Sequence, residues 1–263
     1  MRYLKLYFTY AKRSLMGKLA YKANVIIGIV AFLISQITAL LTLFLLVGSV
    51  PNIDGYTIYD IGFLFGVTNM AIGIDHLFSD KLWTVAYHEV KMGKLDHMFL
   101  RPVPVLFQVF AHEIQLEAFG EIITAIALII FCGMNVSFNV DGLGVILLII
   151  GIICASIIIT SFKIIIAALA FIFGRSGPLL QVVYNFSTYS RYPLSIFPKV
   201  IRFILMFIIP LGVCIFLPYD NLFTNRYNPF LLLGVMIGAT TVFLTLAILI
   251  WNWCCSRYES TGS

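Results

Sequence analysis

Histidines and carboxylates, the side chains most able to do acid–base or metal chemistry, are few in this sequence and cluster in one stretch. Residues 80–121 hold His88, His97 and His112 and six of the twelve acidic residues: Asp80, Glu89, Asp96, Glu113, Glu117 and Glu121. The three histidines are nine and fifteen residues apart, so no two share a helical turn, and they read as polar loop residues rather than as metal ligands or a catalytic pair. Glu113, Glu117 and Glu121 recur at i, i+4, i+8, which on a continuous helix makes one acidic stripe. Such a stripe is favoured near a helix N-terminus but repels itself, so a basic partner is expected, the N-terminal basic segment being the nearest candidate, with Arg13 against Glu117 as the pair that tests it. There is no GxxxxGK[ST] phosphate loop, no HExxH and no GxSxG. The five cysteines, Cys132, Cys154, Cys214, Cys254 and Cys255, lack metal-ligand spacing and read as small packing residues. No catalytic site, metal site or cofactor site is expected in this chain.

The elements around this polar island are oily. Apolar residues make up 61% of the 263 and charged residues 11%, against roughly 45–50% and roughly a quarter in soluble domains. A span needs about 20 predominantly apolar residues, and this length allows about six. The net charge of +5 collects beside apolar runs, which fits membrane orientation rather than nucleic acid. No cleavable signal peptide is expected, since the first apolar run begins only at Val25 and is too long for one.

Residues 1–24 carry Arg2, Lys5, Lys12, Arg13, Lys18 and Lys22 and no acid. Leu4, Tyr7, Phe8, Ala11, Leu15 and Leu19 interleave at helical spacing, predicting a basic amphipathic helix in the headgroup layer, with a disordered basic tail as the alternative. The six positive charges place the N-terminus in the cytoplasm. Spans are expected at 25–47 and about 58–78, from within the acidic stretch to about 134, at 143–173, and at 230–253, with outer turns at 51–55 and 135–142. The run 143–173 is apolar but for Lys163, which is expected to snorkel to the inner interface. In 179–190, Gln181, Asn185 and Thr188 share a face. Residues 201–217 are broken at Pro210-Leu211-Gly212, which suggests a re-entrant hairpin. Either 179–190 or 201–217 can serve as the fifth span. The expectation is one all-α integral membrane domain, 25–253, with six transmembrane helices, an N-terminal interfacial helix, a re-entrant region at 191–218, and a cytoplasmic tail at 254–263.

Two blocks carry a resemblance. Glu89-Val90-Lys91-Met92-Gly93-Lys94-Leu95-Asp96 followed by Leu100-Arg101-Pro102-Val103 resembles the "E…G.LD..L.RP" signature in the cytoplasmic loop of type-2 permeases of ATP-binding-cassette exporters. Arg191-Tyr192-Pro193-Leu194-Ser195-Ile196-Phe197-Pro198 and then Ile208-Ile209-Pro210 is similar to the "YP..IFP…P" region of the branch that lacks its own ATP-binding domain. The resemblance implies a permease subunit in the cell membrane, with both termini cytoplasmic as in the bacterial inner membrane. Its partners would be two ATPase subunits, which bind ATP and Mg, and a second permease, identical or homologous. Within the cytoplasmic coupling loop at 80–112, the stretch Glu89 to Pro104 would be the coupling helix, with Glu89, Met92, Gly93, Lys94, Leu95, Asp96, Leu100, Arg101 and Pro102 meeting the ATPase and Met98 and Phe99 adding apolar contact. Asn69, Gln181, Asn185 and Thr188 are the expected polar lining of the path. The alternative is a secondary transporter or channel driven by an ion gradient, which usually buries charge at mid-membrane. An embedded enzyme or assembly scaffold is a further alternative, which catalytic groups facing one cavity would identify.

Overall fold

A computed structural model describes residues 2–48, 55–136, 142–224 and 226–259. The turn residues 51–54, the centre of the expected outer loop (137–141) and the terminal Thr261-Gly262-Ser263 lie outside them. The helices, in order, are α1 (Arg2–Ala20), α2 (Lys22–Gly48), α3 (Ile58–Ser79), α4 (Lys81–Thr84), α5 (Asp96–Phe99), α6 (Val105–His112), α7 (Ala118–Gly133), α8 (Gly142–Phe173), α9 (Gly177–Thr188), α10 (Lys199–Phe203), α11 (Leu217–Thr224) and α12 (Pro229–Cys255). No strand occurs among the described residues.

Among the described residues, four helices are long and apolar enough to cross a membrane: 22–45, α3, α8 and α12. A fifth is added if Lys199–Ile208 and Gly212–Thr224, bent by 85° against each other, count as one. Helix α7, with 16 residues, is about 24 Å long, shorter than about 30 Å of hydrocarbon.

Helix α3 is the buried axis of the bundle, 78% buried where α2 is 6% and α12 17%. Its start is fixed by a capping box, in which Thr57 and Asp60 satisfy each other's backbone N–H. Asp60 also accepts from the Tyr219 hydroxyl at 2.9 Å, tying α11 to the same end. Gly62, Gly66 and Gly73 line the face toward α7. A Cβ on any of them would run into Cys132, Leu128 and Ile129, or Ile122, so small residues let the two backbones approach closely.

The other end gathers the polar island and both ends of the described chain. Arg101 Nη1 donates to the Tyr10 hydroxyl of α1 at 3.1 Å. After α12, the Tyr258 ring stacks on Phe99 at 5.1 Å and its hydroxyl donates to Asp96 at 2.7 Å. The turn after α8, with Gly174 at φ 74°, returns here too, Ser176 N–H donating to the Ala86 carbonyl.

The third expected span differs from its sequence reading. Helix α6 stops at His112, Glu113 is extended (φ −144°, ψ 125°), and the helix resumes only at Ala118. The intervening segment docks on α3, Gln115 N–H donating to the Leu77 carbonyl at 3.2 Å. Glu113, Glu117 and Glu121 therefore do not form one helical face. The basic partner is Lys18, 3.3 Å from Glu113 and 3.9 Å from Glu117 and donating to Gln115 at 2.6 Å, rather than Arg13. These side chains are half-buried, so the pairs are worth about 1 kcal/mol at most. Lys18→Glu is expected to lower the unfolding midpoint by a few degrees and Lys18→Glu/Glu113→Lys to restore part of it. Strict additivity of the two changes, measured by thermal unfolding in detergent, would refute the pairing.

Candidate functional site

The expected snorkelling of Lys163 is not what the structure shows. Lys163 is 1% exposed, its ammonium held between α8 and the last turn of α3. Its Nζ lies 2.5 Å from Asp75 Oδ2, 3.1 Å from Asp80 Oδ1 and 3.2 Å from Ser79 Oγ. The hydroxyls of Ser79 and Thr160 donate to the other Asp75 oxygen at 2.6 Å each. Helical spacing builds this cage: Asp75, Ser79 and Asp80 lie at i, i+4 and i+5, so all three face α8.

A second polar cluster continues from it. His76 Nδ1 and Glu121 Oε2 are 2.8 Å apart, and His76 Nε2 is 4.0 Å from Asp80. Gln36 Nε2 of α2 donates to the remaining Glu121 oxygen at 2.9 Å, and Asn69 Nδ2 donates to Gln36 Oε1 at 2.8 Å. One chain of charged and polar contacts thus links α2, α3, α7 and α8 through the buried residues Asn69, Gln36, Glu121, His76, Lys163 and Asp75, with Asp80 partly exposed between them. Desolvated charges are costly, and those retained inside membrane helices are paired and mark pathways or relays.

The network forms one wall of a cavity of about 410 Å³. Gln36, His76, Asp80 and Glu121 stand on that wall, and Gln181, Tyr184, Thr188 and Arg191 face them. Tyr184 stacks on His76 at 5.5 Å and meets Trp83 edge-on at 5.5 Å. Of the four residues expected to line a path, Gln181 and Thr188 border this cavity. Asn185 lies on the same helix, exposed, and accepts from Gln181 at 3.0 Å. Asn69 is fully buried behind the wall and reaches the cavity only through Gln36.

The loop leaves directly from this network. Asp80 belongs to the Lys163 cage, while Lys81 pairs with Glu89 at 2.5 Å. A π-helical turn at 85–89 leads into Gly93 at φ 63°, a conformation that suits glycine, and then into α5. Gln108 donates to the carbonyls of Met98 and Val103 at 2.8 and 2.9 Å, fixing the exit around Pro102 and Pro104. Leu95 and Met98 turn inward, into a core shared with Phe171 and Trp251, and Glu89 is buried. Met92, Lys94, Leu100, Arg101 and Pro102 are exposed, Leu100 at 86% and Met92 at 58%, and Asp96 is half-buried beneath Tyr258. Burial, and the hydrogen bond to Asp96, push the Tyr258 phenol up to about 12, so it stays a donor across the physiological range. His112 is lowered by burial and by Lys81.

No group of His, Cys, Asp and Glu suited to a metal ion occurs among the described residues. A family model described as "ABC-2 family transporter protein" matches residues 33–262. No curated protein and no solved structure matches the chain.

Proposed function

The chain belongs to the ABC-2 transporter family, a family of multi-pass membrane permeases, and from that premise we propose that it is the permease subunit of an exporter driven by separate ATPase subunits. It works with a second permease, identical or homologous, and two ATPases that bind ATP and Mg. The membrane is crossed six times, with α7 and the 177–198 segment as short crossings and the bent pair 199–224 as a re-entrant hairpin. Both termini and the 80–112 loop face the cytoplasm of a bacterial inner membrane.

The observation that carries this reading is the loop's construction. Its inward side is anchored in the bundle core by Leu95 and Met98, and its outward side offers Met92, Phe99 and Leu100 beside Lys94 and Arg101. An apolar tip on a rigid base, ringed by charge, is what a cleft in a soluble partner can grip. Because Asp80 and Lys81 are neighbours in the chain, movement of the loop pulls on the wall of the cavity. ATP-driven closure of the ATPases would shift the loop, tilt α3 and the segment beginning at α9, and open the cavity outward. Deleting residues 93–104 is expected to abolish co-purification of the ATPase while the chain still inserts in the membrane, and retained co-purification would reject the assignment.

The buried network favours a second reading. Lys163, Asp75, His76 and Glu121 are the kind of enclosed charges an ion-gradient transporter uses. Transport by the purified chain in vesicles without any ATPase would select it.

A further inference from the structure

Arg191 is the one cation lining the cavity that lacks a carboxylate partner among the described residues. The other lining charges are paired: Asp80 with Lys163, and Glu121 with His76 and Gln36. The guanidinium lies over the Phe65 ring, 4.7 Å from its centroid. Its Nε is buried with no hydrogen-bond partner, and the residue is only partly exposed. Phe65 is fourteen residues before Ser79 on α3, so Arg191 sits about 20 Å deeper than the polar end by helical rise, well inside the membrane-spanning part of the bundle. Glu121 lines the same cavity but is held by His76 and Gln36; a cation this deep with no ion pair of its own is costly, and such residues mark ligand paths. Stacking on a ring uses the face of a guanidinium and leaves the donors on its edge. Those donors match the two oxygens of a carboxylate or phosphate better than any other group. Tyr184 and Trp83 line the approach, and Phe32 and Ala39 close the side formed by α2, so an entering molecule meets apolar and aromatic surface as well as the cation.

We propose that the cavity takes an amphiphile with an anionic headgroup, a phosphate or carboxylate, which pairs with Arg191. This rests on the cavity being the translocation path and narrows what travels along it. The test uses the full chain in phosphatidylcholine nanodiscs, titrated with dodecyl phosphate, dodecanoate, dodecanol, dodecyltrimethylammonium and inorganic phosphate. The Arg191→Gln chain is titrated in parallel, and protein-free nanodiscs of the same lipid serve as the blank for partition. Wild-type chain is expected to bind the two anionic amphiphiles at least tenfold more tightly than dodecanol or the cationic amphiphile. Arg191→Gln is expected to lose that preference, and Arg191→Lys, which keeps the charge but not the planar fork, to retain part of it, with all three chains eluting alike on gel filtration. A wild-type chain with no preference, or a preference that survives in Arg191→Gln, overturns the proposal. Inorganic phosphate binding as tightly as dodecyl phosphate also overturns it, since the site would then hold a free anion. If Arg191→Gln alone elutes as aggregate, the comparison of wild type with Arg191→Lys decides: equal preference in those two removes the bidentate pairing and overturns the proposal. ATPase co-purification is a separate measurement on the loop, so either idea can fail while the other stands.

Discussion

Replacing Lys163 with methionine is expected to lower the stability of the chain by about 3–5 kcal/mol, the usual consequence of stranding one half of a buried ion pair. Asp75 is essentially unexposed, and without the ammonium its carboxylate has two hydroxyl donors and no counter-charge. Asp80 suffers less, because it is partly exposed, borders the cavity and has His76 at 4.0 Å. Adding Asp75→Asn should therefore recover most of the loss. An amide oxygen can still accept from Ser79 and Thr160, and no charge is left buried. The double-mutant cycle, read by thermal unfolding in detergent, should give a coupling energy of about 2 kcal/mol or more. A single Lys163→Met chain that unfolds with wild type, or a double variant no better than the single, would show that the cage carries little energy.

That cage was only half legible in the sequence, for a physical reason. Hydropathy identified α2, α3, α8 and α12 because an uninterrupted apolar run of membrane length has few other uses, and it marked Lys163 as the single charge in one of them. It could not give the direction of the lysine stem, since a snorkelling lysine and a buried one have the same neighbours in sequence. The available signal was complementary: Asp75, Ser79 and Asp80 close one face of α3 and require a cation, and a lone lysine in a later span is the natural supplier. His76 with Glu121 and Gln36 was beyond reach, because the contacts join three helices at separations of 45 and 85 residues. The break at 113–117 was missed because no Gly or Pro marks it. It is imposed by docking on α3, where tertiary contact overrides propensity. By contrast Pro210 and Gly212 did mark the 85° bend between Lys199–Ile208 and Gly212–Thr224.

Loop-tip substitutions should separate gripping from folding. Leu100 is 86% exposed and contributes almost nothing to the core. Leu100→Asp should therefore leave the unfolding midpoint unchanged while weakening ATPase association by about 30-fold or more, the loss of an apolar anchor worth about 2 kcal/mol. Met92→Asp should act in the same direction. Leu95→Asp, five residues before Leu100, should do the opposite. Its side chain is fully buried in the cluster that also holds Phe171 and Trp251, so a carboxylate there should unseat the loop, costing about 3 kcal/mol. ATPase binding would then fall only as a consequence of the lost fold. The contrast matters because a deletion of the loop changes both properties together. If Leu100→Asp and Met92→Asp together still co-purify with the ATPase at wild-type yield, the exposed tip is not what the motor holds, and the force would have to enter through another surface at this end of the bundle, the nearest being α1 where Tyr10 meets Arg101.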